Sequence, residues 1–454
     1  MTRPPRVVIL GGGPAGYEAA LVAAQAGADV ALVERDGLGG SAVLTDCVPS
    51  KALIASSTAL AQVQAMENLG VRISPTAFDL REVNRRILDL ARAQSADVRR
   101  GLERAGVRLE TGAGRLGGPR QILVREQGRD RTLEADVILL ATGARPRPLD
   151  GAAADGERTL TWRQVFDLQR LPEHLVVVGS GVTGAEFACC FLALGARVTL
   201  VSSRDRVLPS EDADAAAVIE QVFHRGGGTI MQRSRAVSCR RDGSGVVVEL
   251  AAGQQITGSH ALLAIGSLPN VESLGLAEAG VATDDRGFIR VDRVSRTSAA
   301  GIYAAGDCTG VMMLASVAAM QGRIAMWHAL GETVAPLDLP AVSATVFTRP
   351  EIATVGDRST GRSILLPLRT NARAKMESID DGFVKLFVEG RTVTGGVVCS
   401  PHASELIHPL ALAVAARLTI EDLATTFTVY PSLSGSIAEA ARRLRGSAGQ
   451  PGPG

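Results

Sequence analysis

The sequence predicts an α/β protein containing two repeated strand–turn–helix–strand units, and three observations carry that reading. A glycine-spaced turn follows an apolar strand twice, at 11–16 and at 179–184. A second apolar strand closing in Gly and Pro also occurs twice, as ADVILLATGARP at 135–146 and SHALLAIGSLP at 259–269. The chain is long enough for such a plan: 454 residues, 46% of them hydrophobic and 50 of them glycine, exceed one core and suit two to four domains of about 100–200 residues.

The first unit begins at Val7 with VVILGGGPAGYEAALVAAQAGADVALVE. It lies without a gap on LVVVGSGVTGAEFACCFLALGARVTLVS, which begins at Leu175. Gly11, Gly13, Gly16 and Gly27 then fall on Gly179, Gly181, Gly184 and Gly195. In a dinucleotide-binding turn one glycine permits the bend, one lets a pyrophosphate approach the backbone, and one lets helix and strand pack closely. Pro14 and Ala15 in the first copy, and Val182 and Thr183 in the second, open helices whose free N–H groups and positive dipole end favour phosphate. Two nucleotide sites follow from two copies in the same context. The 135–146 and 259–269 strands are expected to return the chain from each unit.

The copies differ where an adenosine ribose should sit. The first ends its second strand in Glu34, an acid placed to accept from ribose hydroxyls. The second has Ser202, then Ser203, Arg204 and Arg206. With no carboxylate to repel a 2′-phosphate and two guanidiniums nearby, that site is expected to accept NADPH, and NADH as well. The same arginines also fit a solvated loop face.

Composition excludes several classes. With 48 basic and 47 acidic residues the chain lacks the basic footprint of a nucleic-acid or polybasic membrane-surface protein. Six cysteines with no CxxC pair make neither a disulfide scaffold nor a zinc site. The opening MTRPPRVVIL leads straight into the glycine cluster, with no apolar run suited to a signal or a membrane span. A soluble, reduced, cytoplasmic setting is expected. Only three of the 48 basic residues are lysines, Lys51, Lys375 and Lys385, so in an arginine-writing chain the retained Lys51 marks a place where a compact point charge is needed, or a chance retention.

From these motifs the sequence resembles the pyridine nucleotide-disulfide oxidoreductase family of flavoproteins, which includes lipoamide dehydrogenase and glutathione reductase. The likeness runs through GGGPAG, GGSAVLTDCVPSK at 39–51, ATGARP, GSGVTGAE, TSAAGIYAAGD ending at Asp307, FTRPEIATVG at 347–356, NARAKM at 371–376 and ASELI at 403–407. It implies two Rossmann-like domains and a C-terminal α+β dimerisation domain, hence a homodimer. The implied boundaries are an FAD domain at 1–145, an NAD(P) domain at 146–270, a central segment at 271–340 completing the FAD domain, an interface domain at 341–444 and a disordered tail at 445–454. Gly40, Ser41, Ala141, Thr142, Gly143, Gly266, Gly306 and Asp307 join the glycine-turn residues as implied cofactor contacts. Asp307 would face the ribityl–pyrophosphate region of FAD.

Two departures redirect the chemistry. The family's disulfide-reducing members carry a GGTCxxxxC pair; here Ala42 stands at the first cysteine and only Cys47 remains. The family's C-terminal His, with a Glu five residues on, is replaced by Tyr430 and Gly435. Without that acid–base group, dithiol chemistry would lose roughly 100- to 10,000-fold. Lys51 and Glu186, by contrast, match the family's ion pair beside the flavin. Cys47 sits at a helix start, where the dipole lowers its pKa and Asp46 raises it, and sequence leaves the winner open. The expected activity is hydride transfer from NAD(P)H to FAD followed by direct reduction of a quinone, with Lys51, Glu186, Cys47 and Tyr430 as catalytic candidates. Tyr430 would either hydrogen-bond the acceptor or fill the space of the missing imidazole. The alternatives are a soluble transhydrogenase, a single-cysteine thiol or lipoamide reductase, and a non-enzymatic NAD(P)H-responsive flavoprotein.

Overall fold

The two glycine-turn units fold into two parallel sheets that share the order of four strands and differ in the edge strand, which comes last along the chain in the first sheet and first in the second. A computed structural model describes residues 3–72, 78–152 and 154–446 of the chain. Its first sheet runs Ile302–Ala304, Val137–Leu140, Arg6–Leu10, Asp29–Glu34, Arg108–Thr111. The second runs Thr159–Leu160, His260–Leu263, His174–Val178, Arg197–Val201, Thr229–Met231. The two return strands thus pair in parallel with the strand that precedes each glycine turn, as their sequences predict.

These strands are continuous apolar runs because both sheet faces are covered. Alternate residues point to opposite faces. Val7 and Ile9 pack with helix Pro14–Gln25, while Val8 and Leu10 pack under a three-stranded antiparallel sheet, Ala113–Gly118, Gln121–Glu126, Arg129–Glu134. In the second unit Leu175 and Val177 face helix Val182–Ala193, and Val176 and Val178 face Ala236–Asp242, Gly245–Leu250, Gln255–Gly258. The repeat therefore extends to the covering sheets. In both helices the third turn glycine sits against the first. A Cβ on Gly16 would lie 1.8 Å from the Gly11 carbonyl oxygen, and one on Gly184 would lie 1.8 Å from that of Gly179.

The segment after residue 270 returns to the first unit. Ile302–Ala304 becomes its edge strand, and helix Ala315–Ala329 packs on Pro14–Gln25. Two antiparallel strands, Ala144–Pro146 and Ser267–Pro269, carry the chain between units. The third region is an antiparallel sheet ordered Ala344–Val346, Glu351–Gly356, Thr392–Ser400, Phe383–Glu389, Arg362–Pro367, packed under helices that include His408–Ala415 and Gly435–Gly446. One core joins it to the rest: Leu53, Phe187, Val346, Ile352 and Phe383 belong to a single buried cluster. Arg445 and Gly446, expected to start the tail, close the last helix instead, because Leu444 is buried and anchors that turn. The remainder of the expected tail, 447–454, lies outside the described residues. Among the described residues no helix is long and apolar enough to cross a membrane.

The closest helix contact yields a prediction. A Cβ on Gly322 would stand 2.1 Å from the Ala15 carbonyl oxygen, so the helices would have to separate. Gly322→Ala is expected to lower stability by about 1–3 kcal/mol, read as a lower unfolding midpoint in denaturant.

Candidate functional site

Where the two units and the third sheet meet, a cleft of about 1920 Å³ opens. Ordinary small-molecule sites occupy roughly 300–1,000 Å³, so this one has room for a dinucleotide and a second reactant. Its walls gather residues far apart in sequence. Gly11, Gly13, Pro14 and Ala15 come from the first glycine turn, and Glu34 from the end of the next strand. Gly40, Ser41, Cys47 and Lys51 come from the following segment, Ala141, Thr142 and Gly143 from the first return strand, and Gly181, Val182, Thr183 and Glu186 from the second helix start. Gly266, Gly306 and Asp307 complete it. Gly16, Gly179 and Gly184 stand behind the wall and shape the turns.

The site fits a pyrophosphate-bearing dinucleotide. A Cβ on Gly13 would find its nearest neighbour 4.0 Å away, and one on Gly181 would find nothing within 4 Å, so the middle glycine of each turn borders open space. Neither following helix has a side-chain cap, which leaves N–H groups of the first turn unspent for phosphate oxygens. Thr45 Oγ1 and Trp162 Nε1 are buried on the cleft wall without a hydrogen-bond partner, a situation a bound ligand relieves. The Glu34 carboxylate accepts from the Gly12 N–H at 2.6 Å and from those of Asp36 and Gly37 at 2.6 and 3.1 Å. It braces the turn while remaining on the cleft wall.

The centre of the site is an ion pair. Lys51 Nζ lies 2.9 Å from Glu186 Oε2, and Glu186 Oε1 accepts from the Phe347 N–H at 2.9 Å. Lys51 also stands over the Phe347 ring, 5.2 Å from its centroid. Glu186 is 3% exposed. Burial works against the Lys51 charge, but Glu186, with Cys47 and Asp46, outweighs it and holds the ammonium above its ordinary pKa.

Cys47 begins helix Cys47–Ala65. Burial pushes its thiol up, and Asp46 and Glu186 add to the rise against the pull of Lys51. The question open in the sequence is thus decided by a contribution sequence does not carry, desolvation, and Cys47 stays a thiol at neutral pH. All six cysteines are free. Cys189 and Cys190, on helix Val182–Ala193, are pushed up by burial to about 12; both pack with the apolar core.

Two expected contacts are not made. Ser202 is fully buried, and its hydroxyl is engaged by Ser180 Oγ at 2.7 Å and by the Arg204 N–H at 3.1 Å. It ties the 202–206 loop and presents nothing to a ribose. Arg206 folds back to donate to the Pro209 and Glu211 carbonyls, leaving Ser203, Arg204 and Asp205 as the exposed polar groups there, outside the cleft wall. Tyr430 is 86% exposed, with Phe427 and Val429 beside it, and does not line the cleft of its own chain. Sequence reasoning missed Phe347, Thr45, Trp162 and Arg163, all on the cleft wall. Phe347 heads the FTRPEIATVG run, but nothing local ties its N–H to Glu186.

Asp307 supplies a pH test. Burial and the neighbouring Asp46 push its carboxyl up to about 6. A raised folded-state value destabilises the charged form, so stability present at low pH is lost as pH rises through about 6. Asp307→Asn is expected to stabilise the cofactor-free chain above pH 6 and to have little effect at acid pH, measured by denaturant midpoints across the range.

Comparison with known proteins places this architecture. The pattern described as pyridine nucleotide-disulphide oxidoreductase matches residues 5–322, and that of the family's dimerisation domain matches residues 342–441. The chain is 53% identical over 461 residues to a Mycobacterium tuberculosis protein named NAD(P)H dehydrogenase (quinone), covering 97% of this chain and 94% of that one. It is 35% identical over 450 residues to dihydrolipoyl dehydrogenase of Chlorobaculum parvum, covering 96% of each. The crystal structure of LpdA from Mycobacterium tuberculosis superposes with a TM-score of 0.92 at 52% identity, over 97% of this chain and 99% of that one. With its two glycine-turn units, its Lys51–Glu186 pair and its C-terminal sheet, the chain belongs to the pyridine nucleotide-disulphide oxidoreductase family.

Proposed function

We propose that the protein is an FAD-dependent NAD(P)H:quinone oxidoreductase acting as a homodimer. The observation that carries this reading is the state of Cys47: with Ala42 opposite it and its thiol pushed up by burial, the cleft has no disulfide to reduce and no thiolate to attack one. Electrons must leave by direct transfer, and a quinone accepts them without a thiol relay. The relative named NAD(P)H dehydrogenase (quinone), similar over nearly the whole chain, supports that acceptor.

FAD, when bound, supplies the two-electron carrier between NAD(P)H and the acceptor. The glycine turns at 11–16 and 179–184 would hold the pyrophosphates of FAD and NAD(P)H, with Glu34 at the FAD adenosine. Lys51 offers a fixed positive charge to developing negative charge, and Glu186 holds that ammonium in place from the opposite wall. Ser203 and Arg204 would meet the adenosine ribose of the nicotinamide cofactor. Arg204 is exposed, next to the equally exposed Asp205; its guanidinium is the group offered to a 2′-phosphate, and NADPH is accepted along with NADH.

The exposed Phe427, Val429 and Tyr430 form an apolar segment in the dimerisation domain, which a second copy would cover. Tyr430 then belongs to the neighbour's cleft, where its hydroxyl is available to an acceptor oxygen.

Purified enzyme is expected to oxidise NADPH with menadione-like quinones and to fail with lipoamide; stopped-flow reoxidation by quinones, NAD, lipoamide and oxygen distinguishes the readings, and strong lipoamide turnover would sink this one. Cys47→Ser is expected to leave quinone turnover unchanged, whereas Lys51→Met should lower it on the order of 100-fold. Arg204→Ala is expected to raise KM for NADPH about tenfold, the worth of a charge-assisted hydrogen bond, with KM for NADH unmoved.

A further inference from the structure

The loop that follows strand Arg197–Val201 is built onto the second glycine turn. Ser180 lies between Gly179 and Gly181 of that turn. Its carbonyl accepts from the Leu208 N–H at 2.8 Å, and its hydroxyl pairs with that of Ser202 at 2.7 Å. Leu208 sits in the left-handed region at φ 51°, a conformation that surrounding contacts must impose on a leucine. Arg206 donates to the Pro209 and Glu211 carbonyls, and Ser210 and Glu211 then reach the cleft wall. Whatever holds residue 212 therefore holds the far end of the loop and, through Ser180, the turn at 179–184.

Residue 212 is held from another region of the chain. One carboxylate oxygen of Asp212 caps helix Ala213–Arg225, accepting from the Asp214 and Ala215 N–H groups. The other receives Lys385 Nζ at 2.9 Å, from strand Phe383–Glu389 of the third sheet, and the same ammonium reaches Asp214 at 2.7 Å. The Asp212 side chain is 9% exposed and that of Lys385 17%, so this contact lacks the solvent screening that makes surface pairs nearly worthless. Arg358 approaches Glu211 at 3.8 Å, and Arg225 pairs with Asp381, along the same seam. Among the described residues no strand of the second unit pairs with a strand of the third sheet. Apolar packing joins the two regions but is non-directional, and the charged contacts supply the register.

We propose that Lys385 is a positioning residue of the nicotinamide-cofactor site: by holding Asp212 it fixes the 202–212 loop and, through Ser180, the turn that seats the cofactor pyrophosphate. The role rests on the reading of the second unit as the NAD(P)H site. Neither Lys385 nor Asp212 lines the cleft, so the effect passes through the loop alone. The third sheet thereby steadies both sides of the hydride step, Glu186 through the Phe347 N–H and the cofactor turn through Lys385.

The test uses FAD-loaded variants that break the tether with opposite changes of charge. Lys385→Met removes a cation. Asp212→Ser/Asp214→Ala removes both anions, while the serine keeps a side-chain oxygen to cap the helix. Flavin content and the unfolding midpoint are measured first. Calorimetric titration of the oxidised enzyme with NADP and NAD is expected to show binding about tenfold weaker than wild type in both variants, the scale on which a residue acts on a site it does not touch. KM for NADPH and NADH should rise to match, with kcat and the KM for quinone unchanged. An effect of charge alone would weaken binding in one variant and tighten it in the other; that result, or wild-type affinity in either variant, overturns the proposal. A lower unfolding midpoint with unmoved affinities overturns it equally, since a merely stabilising bridge gives that outcome. If Lys385→Met fails to hold flavin, the doubly substituted variant decides by the same titration. A wild type that binds neither NADP nor NAD overturns the reading of the second unit itself, and the positioning role with it.

Discussion

The Lys51–Glu186 ion pair is the constraint on which the site depends. Its three anchors come from three regions of the chain: the helix after the first unit, the second glycine-turn helix, and the residue after the first strand of the third sheet. A buried pair is a poor source of stability in general, since desolvation offsets much of the attraction. Here the remaining capacity of the carboxylate is met by the Phe347 N–H and the ammonium rests on an aromatic face. The pair therefore tolerates its burial and registers the regions against one another, so that the cleft between them keeps its shape.

The sparse lysines follow the same logic. Lys385 on strand Phe383–Glu389 bonds Asp212 at 2.9 Å and Asp214 at 2.7 Å, tying the third sheet to the start of helix Ala213–Arg225 in the second unit. Two of the three lysines thus bridge regions with a compact charge among carboxylates, a geometry that a planar guanidinium fork does not reproduce. Lys375, on the short helix Ala372–Met376, has no such bridge among the described residues. Lysine scarcity pointed to Lys51 alone, and the Lys385 bridge emerges only from the tertiary structure.

Much of the fold was legible because glycine spacing reports backbone geometry directly. Gly16 and Gly184 sit where any side chain would strike a carbonyl, so the turn imposes its spacing on the sequence. Strand pairing was legible too, since buried parallel strands must be apolar throughout. The three-stranded covering sheets were not: their segments 113–134 and 236–258 carry no shared motif, and a half-exposed antiparallel sheet constrains only alternate residues. Ser202 misled for a related reason. A serine after a strand reads the same whether its hydroxyl faces a ligand or, as here, Ser180.

By itself, then, the sequence determined the two dinucleotide-type units, the loss of the cysteine pair at Ala42, the loss of the His–Glu pair at Tyr430 and Gly435, and the residues of the central ion pair. The units are a matter of residue identity and spacing along one strand–turn–helix; the two losses and the ion pair are legible only against the pattern of the family that the sequence resembles. Only the tertiary structure decided that Cys47 is a thiol, that Phe347 holds Glu186, and that Tyr430 stands outside its own chain's site. Each of those depends on burial or on a contact between distant segments. Desolvation and through-space charge act across distances that neighbours in sequence do not measure.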